Sequence, residues 1–126
     1  MEQDQHKVAL QKIVDMFTTG DVTEAEMIFS PAYIDHQKPS EWAIDGPEEF
    51  KQIVVLTRTH LPNLHVTIED AIGEGDRMAA RLHWHSRSPT GKHVQRETLE
   101  ILRFSGSTVA EHWGAESWRL ERDGEA

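Results

Sequence analysis

The chain has no cysteine among its 126 residues, which excludes disulfide frameworks, thiolate metal sites and cysteine nucleophiles. No apolar run approaches the ~18 residues that a membrane-spanning helix needs, so no membrane partner is expected. Basic side chains are scarce: 13 Lys and Arg stand against 22 Asp and Glu, a formal charge of −9. Nucleic acid is a poor partner for such a surface. The opening residues, MEQDQHKVAL, are polar where a signal peptide is basic and then apolar. The expectation is a cytoplasmic protein. Nucleophile elbows, phosphate loops, triad spacings, internal repeats and low-complexity tracts are also missing. Nothing calls for a cofactor or a resident metal.

What the chain does have is histidine, eight in all. Histidine's ordinary pKa lies nearest neutrality, so an excess is compatible with acid–base chemistry or with metal binding. Unremarkable surface histidines are the alternative for most of them.

The length suits one domain spanning 1–126. Helical spacing fills the first half. Leu10, Ile13, Val14 and Phe17 fall on one stripe of a helix over about 4–18, closed by Thr18, Thr19 and Gly20. Thr23 and Glu26 have capping-box spacing for a second, short helix ended by Ser30-Pro31. Residues 31–46 have neither period and read as an ordered loop with room for short strands. Asp45-Gly46-Pro47-Glu48-Glu49 begins a third helix, which Pro62 closes. From Leu64 the period is two. Four strands follow, to about residue 118, linked by turns at GEGD, SPTGK and SGS. The predicted class is α+β: three N-terminal helices packed on a strongly curved, mainly antiparallel sheet of four to six strands.

Along the second strand Met78, Ala80, Leu82 and Trp84 alternate with Arg77, Arg81, His83 and His85. Along the third, Glu97, Leu99, Ile101 and Arg103 oppose Thr98, Glu100, Leu102 and Phe104. Both faces are mixed, as expected of a curved sheet with a pocket on one side and a subunit contact on the other. An ordinary solvated face is the alternative. His83 and His85 point the same way and lack only a third ligand, such as Glu97 or His112, to suit zinc. In the last strand Val109, Glu111, Trp113 and Ser117 share one face, and Ala110, His112 and Glu116 the other. A carboxyl buried there would have its pKa raised, which suits a general acid or base.

Taken in order, YIDH at 33–36, GPEEF at 46–50, LPNL at 61–64, GDRMAAR at 75–81, PTGK at 89–92 and RFSGSTVAEHW at 103–113 resemble one family. The chain is similar to the SnoaL-like polyketide cyclases of the nuclear-transport-factor-2-like superfamily. The resemblance implies a cone-shaped half-barrel with an apolar interior pocket, and a homodimer formed through the outer sheet face. It also implies ring closure of a polyketide by intramolecular aldol condensation without metal or cofactor. In the family an aspartate four residues beyond the tryptophan of the HW pair serves as acid and base. Ser117 stands at that position here, with Glu116 beside it.

Three readings follow. The first is an enzyme without cofactor acting on a small, partly apolar carbonyl compound. It assigns proton transfer and oxyanion stabilisation to His36, Arg81, His83 and His112, with Glu116 as base if a bulge turns it inward, and the pocket wall to Tyr33, Trp42 and Trp113. The second is a non-catalytic small-molecule-binding or dimerisation module of the same fold. The third is a metal-dependent enzyme using His83 and His85.

Overall fold

A computed structural model of the chain describes residues 2–38 and 41–116. Helix α1 (Glu2–Thr19) is followed by the single turn α2 (Ala25–Ile28), strand β1 (Phe29–Asp35) and helix α3 (Pro47–His60). Strands β2 (His65–Glu74), β3 (Arg77–Arg87), β4 (His93–Ser105) and β5 (Thr108–Glu116) complete the described elements. The sheet has five strands in the order β1-β5-β4-β3-β2. β1 runs parallel to β5, and every other pairing is antiparallel. The result is an α+β fold whose curled, unclosed sheet wraps its helices.

The predicted stripe of α1 is its buried side: Leu10, Ile13, Val14 and Phe17 enter the core with Ala9 and Met16. Gly20 closes the helix through its N–H on the Met16 carbonyl, at 2.8 Å. Arg58 of α3 then donates from one nitrogen to the carbonyls of Phe17 (2.8 Å) and Thr18 (2.6 Å). A cation on the free carbonyls of a helix end both satisfies them and opposes the dipole. It also ties α3 to α1.

The early region departs from the sequence reading. Thr23 makes no capping box; its N–H (3.1 Å) and its hydroxyl (2.8 Å) both donate to Asp21, and α2 begins two residues later. That helix ends before Ser30-Pro31. Pro31 instead lies inside β1, an edge strand whose register slips between Phe29 and Ile34. Proline donates no ladder hydrogen bond, so an irregular edge is where a strand accepts it. The predicted start of α3 keeps Pro47, Glu48 and Glu49 in its first turn, but its N-cap is Gly46. Asp45 pairs with Lys38 at 2.5 Å instead.

The two-residue period holds through β3, with Met78, Ala80 and Leu82 buried. In β5 it holds only from Glu111 onward. A register shift between Arg103 and Phe104 sets Val109 opposite Phe104, and both are buried. The bulge accommodates an extra residue at Ala110. Val109 therefore faces the interior rather than sharing a side with Glu111 and Trp113.

Candidate functional site

Between the helices and the inner sheet face lies a cavity of about 280 Å³. Most of its wall is apolar: Leu10, Ile13 and Phe17 from α1, Phe50 and Ile53 from α3, Leu82, Trp84 and Leu102 from the sheet. Phe17 meets both Phe50 and Trp84 edge-on, at centroid distances of 5.4 and 5.0 Å. The Trp84 indole N–H is satisfied by the Thr98 hydroxyl at 2.7 Å, which keeps the ring polar edge fixed.

One end of the cavity is charged. His112 on β5 points inward, opposite Leu102 of β4 and beside Asp35 of β1. Its Nδ1 lies 2.9 Å from Asp35 Oδ1, and its Nε2 is hydrogen-bonded to Glu100 Oε1. The strand register explains the convergence. Glu100 is opposite Gly114, which has no side chain, so the carboxylate can lean across toward His112. A Cβ at residue 114 would sit 2.7 Å from Glu100 Oε1 and 3.2 Å from His112 Nε2. The glycine after HW makes room for the pair.

Asp35 is held by two further groups, and the strand beside it by a third contact. The Gln37 backbone N–H donates to its Oδ1 at 2.8 Å, the Tyr33 hydroxyl is hydrogen-bonded to it, and the next residue, His36, donates its N–H to the His112 carbonyl at 2.9 Å. The Gln37 amide is also bonded to the Gly114 carbonyl. Burial pushes the Tyr33 hydroxyl far above its usual range, reinforced by the Asp35 charge, so it remains a donor.

Burial alone would lower the pKa of His112. The hydrogen bonds to Asp35 and Glu100, together with their charges, more than reverse this and raise it to about 9. At neutral pH His112 is then an imidazolium with both N–H groups engaged. Among the described residues nothing donates to the second oxygen of Glu100. Glu49, in the first turn of α3, is fully buried with both carboxyl oxygens unpartnered. Burial, and then the Asp35 charge, raise its pKa to about 7.

Of the residues singled out from sequence, His112, Glu116 and Tyr33 line this cavity. Glu116 arrives there by plain alternation from His112, opposite Thr98, and pairs with Arg96 at 3.2 Å. The others lie elsewhere. Arg81 is on the outer sheet face, bridging Asp70 (2.8 Å) and Glu97 (2.9 Å). His83 shares that face, 3.0 Å from Gln95, and His85 is 3.1 Å from His93. Trp113 also faces outward, stacked on His36 at 4.9 Å with the Arg77 guanidinium 5.3 Å from its centroid. His36 donates to Glu111 at 2.8 Å; that bond and then Arg103 hold the Glu111 carboxyl below its usual range. Trp42 is half-buried and is not part of the cavity wall. Ser117 and Trp118 lie outside the described residues. Among the described residues no group of three or more His, Asp and Glu side chains is disposed to hold a metal ion.

Asp35 and Glu100 were missed as candidates. Each had a signal: Asp35 stands in YIDH, and Glu100 is a carboxylate on the strand face that carries Leu102 and Phe104. Glu49 had none, since acids in a first helical turn are ordinary.

A curled, unclosed sheet wrapped over helices around an apolar cavity with one charged end is the α+β nuclear-transport-factor-2-like fold. The profile of the SnoaL-like polyketide cyclases matches residues 7–117, and the chain belongs to that family. Among solved structures it is similar to a candidate polyketide cyclase of Bacillus cereus at 26% identity, covering 86% of this chain and 71% of that one, with a TM-score of 0.76. TsrD of Streptomyces laurentii superposes with a TM-score of 0.80 at 17% identity, over 92% of this chain and 90% of its own. AclR of Streptomyces galilaeus, a candidate hydroxylase, shares the fold at 20% identity over 90% of each chain, with a TM-score of 0.73. No curated protein matches the sequence.

Proposed function

We propose that the chain is an acid–base enzyme acting on a small, partly apolar carbonyl compound, of the polyketide-cyclase type that closes a ring by aldol condensation. The observation that carries this reading is the ionic line Asp35–His112–Glu100 at the charged end of an otherwise apolar cavity. A cavity of about 280 Å³ lies at the small end of the range for ligand sites, roughly 300–1,000 Å³. The names of the B. cereus protein and of similar structures supply the reaction type.

In this reading Glu100 is the base, through the oxygen His112 leaves free. It takes the proton from the carbon beside a carbonyl, and the enolate carbon attacks a second carbonyl of the same molecule. The new alkoxide recovers the proton from Glu100, so one C–C bond forms and no proton is lost. His112, held by Asp35, offsets the negative charge as it moves. Thr98 has its hydroxyl proton free to meet an enolate oxygen, since its oxygen accepts from Trp84. Glu116 stands at the cavity margin as a third carboxylate, beside Asp35 and Glu100. No step needs a redox partner or a cofactor.

The experiment is exchange of α-protons for deuterium in aryl ketones, followed by NMR. Positioned acid–base groups contribute roughly 10²–10⁴-fold, and Glu100→Gln is expected to remove at least a hundredfold of the acceleration. Exchange no faster with wild-type protein than in buffer sinks the proposal. A non-catalytic binding module is the second reading, favoured by the engagement of both His112 nitrogens. It predicts ketone binding without exchange.

Two further assignments belong here. A cysteine-free chain suits a reducing compartment, and we assign it to the cytoplasm; among the described residues no helix is long and apolar enough to cross a membrane. We also assign it as a homodimer through the outer sheet face, where Ile72, Leu99 and Ile101 are 73%, 53% and 43% exposed.

A further inference from the structure

We propose that the cavity selects its ligand by charge, taking a carbonyl compound that also carries a protonated amine and rejecting the matching carboxylate. This rests on the pocket reading above and narrows it to a substrate class.

Besides Tyr33, whose hydroxyl stays protonated, the ionisable groups lining the cavity are Asp35, Glu100, Glu116 and His112. Three carboxylates stand against one imidazolium, and that imidazolium has no N–H to spare because Asp35 and Glu100 hold both. Among the described residues the nearby cations are paired: Arg96, at the exposed margin, with Glu116, and Lys38, close enough to feel the Asp35 and Glu49 charges, with Asp45. An incoming carboxylate would therefore find no unengaged cation among the described residues and would add a charge of the same sign in a low-dielectric space. A buried Glu49 without partners adds a further negative charge behind the site whenever it ionises.

Among the unengaged polar atoms the charged one argues the same way. Glu100 has one free carboxylate oxygen, and Thr98, whose oxygen accepts from Trp84, has a neutral hydroxyl proton. The carboxylate oxygen is an acceptor, and an ammonium group is a donor only. Around them stand Phe17, Phe29, Tyr33, Phe50 and Trp84, whose ring faces attract cations and whose apolar walls strengthen that attraction by excluding water. An aromatic amine thus satisfies the free carboxylate oxygen, the net charge and the walls together. A neutral alcohol satisfies only the first and last.

The test compares three aryl ketones of one shape, 4-acetylbenzylamine, 4-acetylbenzyl alcohol and 4-acetylbenzoate, by isothermal titration at pH 7 and low ionic strength. Expected is an affinity order of amine, alcohol, carboxylate, with at least tenfold between the first and last, narrowing as salt is added. In Glu100→Gln the spread should shrink at least threefold. Binding of the carboxylate equal to or tighter than that of the amine overturns the charge selection and leaves the pocket reading intact. An unchanged spread in Glu100→Gln also overturns it, since the amine would then be recognised elsewhere. No binding by any of the three overturns both the selection and the pocket reading.

Discussion

At the residue scale the chemistry concentrates on proton positions. His112 and Glu49 both have folded-state pKa values above their usual ones, about 9 and about 7. A raised pKa means that the folded protein binds the proton more tightly than the unfolded chain does. Stability from His112 is therefore fully present below about pH 6.5 and is lost as pH rises through 9. For Glu49 the corresponding loss runs from about pH 4.5 to 7. Urea midpoints should fall steadily across both windows, and a midpoint rising between pH 5 and 9 would contradict the assignment. Glu49→Gln separates the two. It should match wild type near pH 5 and exceed it above pH 8 by about 1–3 kcal/mol, because the variant has no buried carboxylate to ionise. Gly114→Ala tests the close approach of Glu100 to His112. Its methyl would meet the pair at 2.7 and 3.2 Å, so α-proton exchange should drop at least tenfold while helix content by circular dichroism stays unchanged.

At the scale of elements, the joints carry the specificity of the fold. Gly46 caps α3 at φ +75°, and a Cβ there would lie 2.7 Å from the Pro31 carbonyl oxygen of β1. Gly46→Ala combines a disfavoured left-handed backbone with a clash against main chain, and should cost at least ~1–2 kcal/mol. Arg58→Ala frees two carbonyls at the end of α1, and about 1–2 kcal/mol is expected from the lost charged hydrogen bonds. Thermal melts check both, and a change under 1 °C in either would count against the joint described. The sequence made α1 and α3 readable because one face of each is apolar at the right period, and the long strands readable by their two-residue alternation and the turns between them. It left β1 as no more than room for short strands in a loop, because Ser30-Pro31 looks like a stop; partnership with β5 overrides that local preference. The bulge at Val109-Ala110 was equally hidden, because the extra residue is specified by pairing with Phe104 and not by its own side chain.

For the whole molecule, the inside and outside of the sheet could not be told apart by composition. The inner face carries Glu100 and His112, while the outer leaves Leu99 and Ile101 exposed. Both therefore look half polar, and a candidate set drawn from sequence mixed the two: Arg81 and His83 outside, His112 and Glu116 inside. Curvature decides the matter, and curvature arises from long-range pairing. The outer apolar residues border a shallow concavity of about 570 Å³ with Trp113 and Arg81 on its rim. Exposed patches of this kind mark association surfaces. Leu99→Arg should shift a dimer to monomer in analytical ultracentrifugation with little change in thermal stability; an already monomeric wild type would end the dimer assignment.

His112, a cation clamped between two carboxylates inside the cavity, is the centre of this chemistry. Nitrogen-15 NMR of the histidine rings across pH reads this directly, with His112 assigned by its loss in His112→Gln. Both ring nitrogens should be protonated at pH 7, with a titration midpoint at about 9 that falls when Glu100 is replaced by Gln. A neutral ring at pH 7 with a midpoint near the ordinary histidine value, about 6.5, would contradict it.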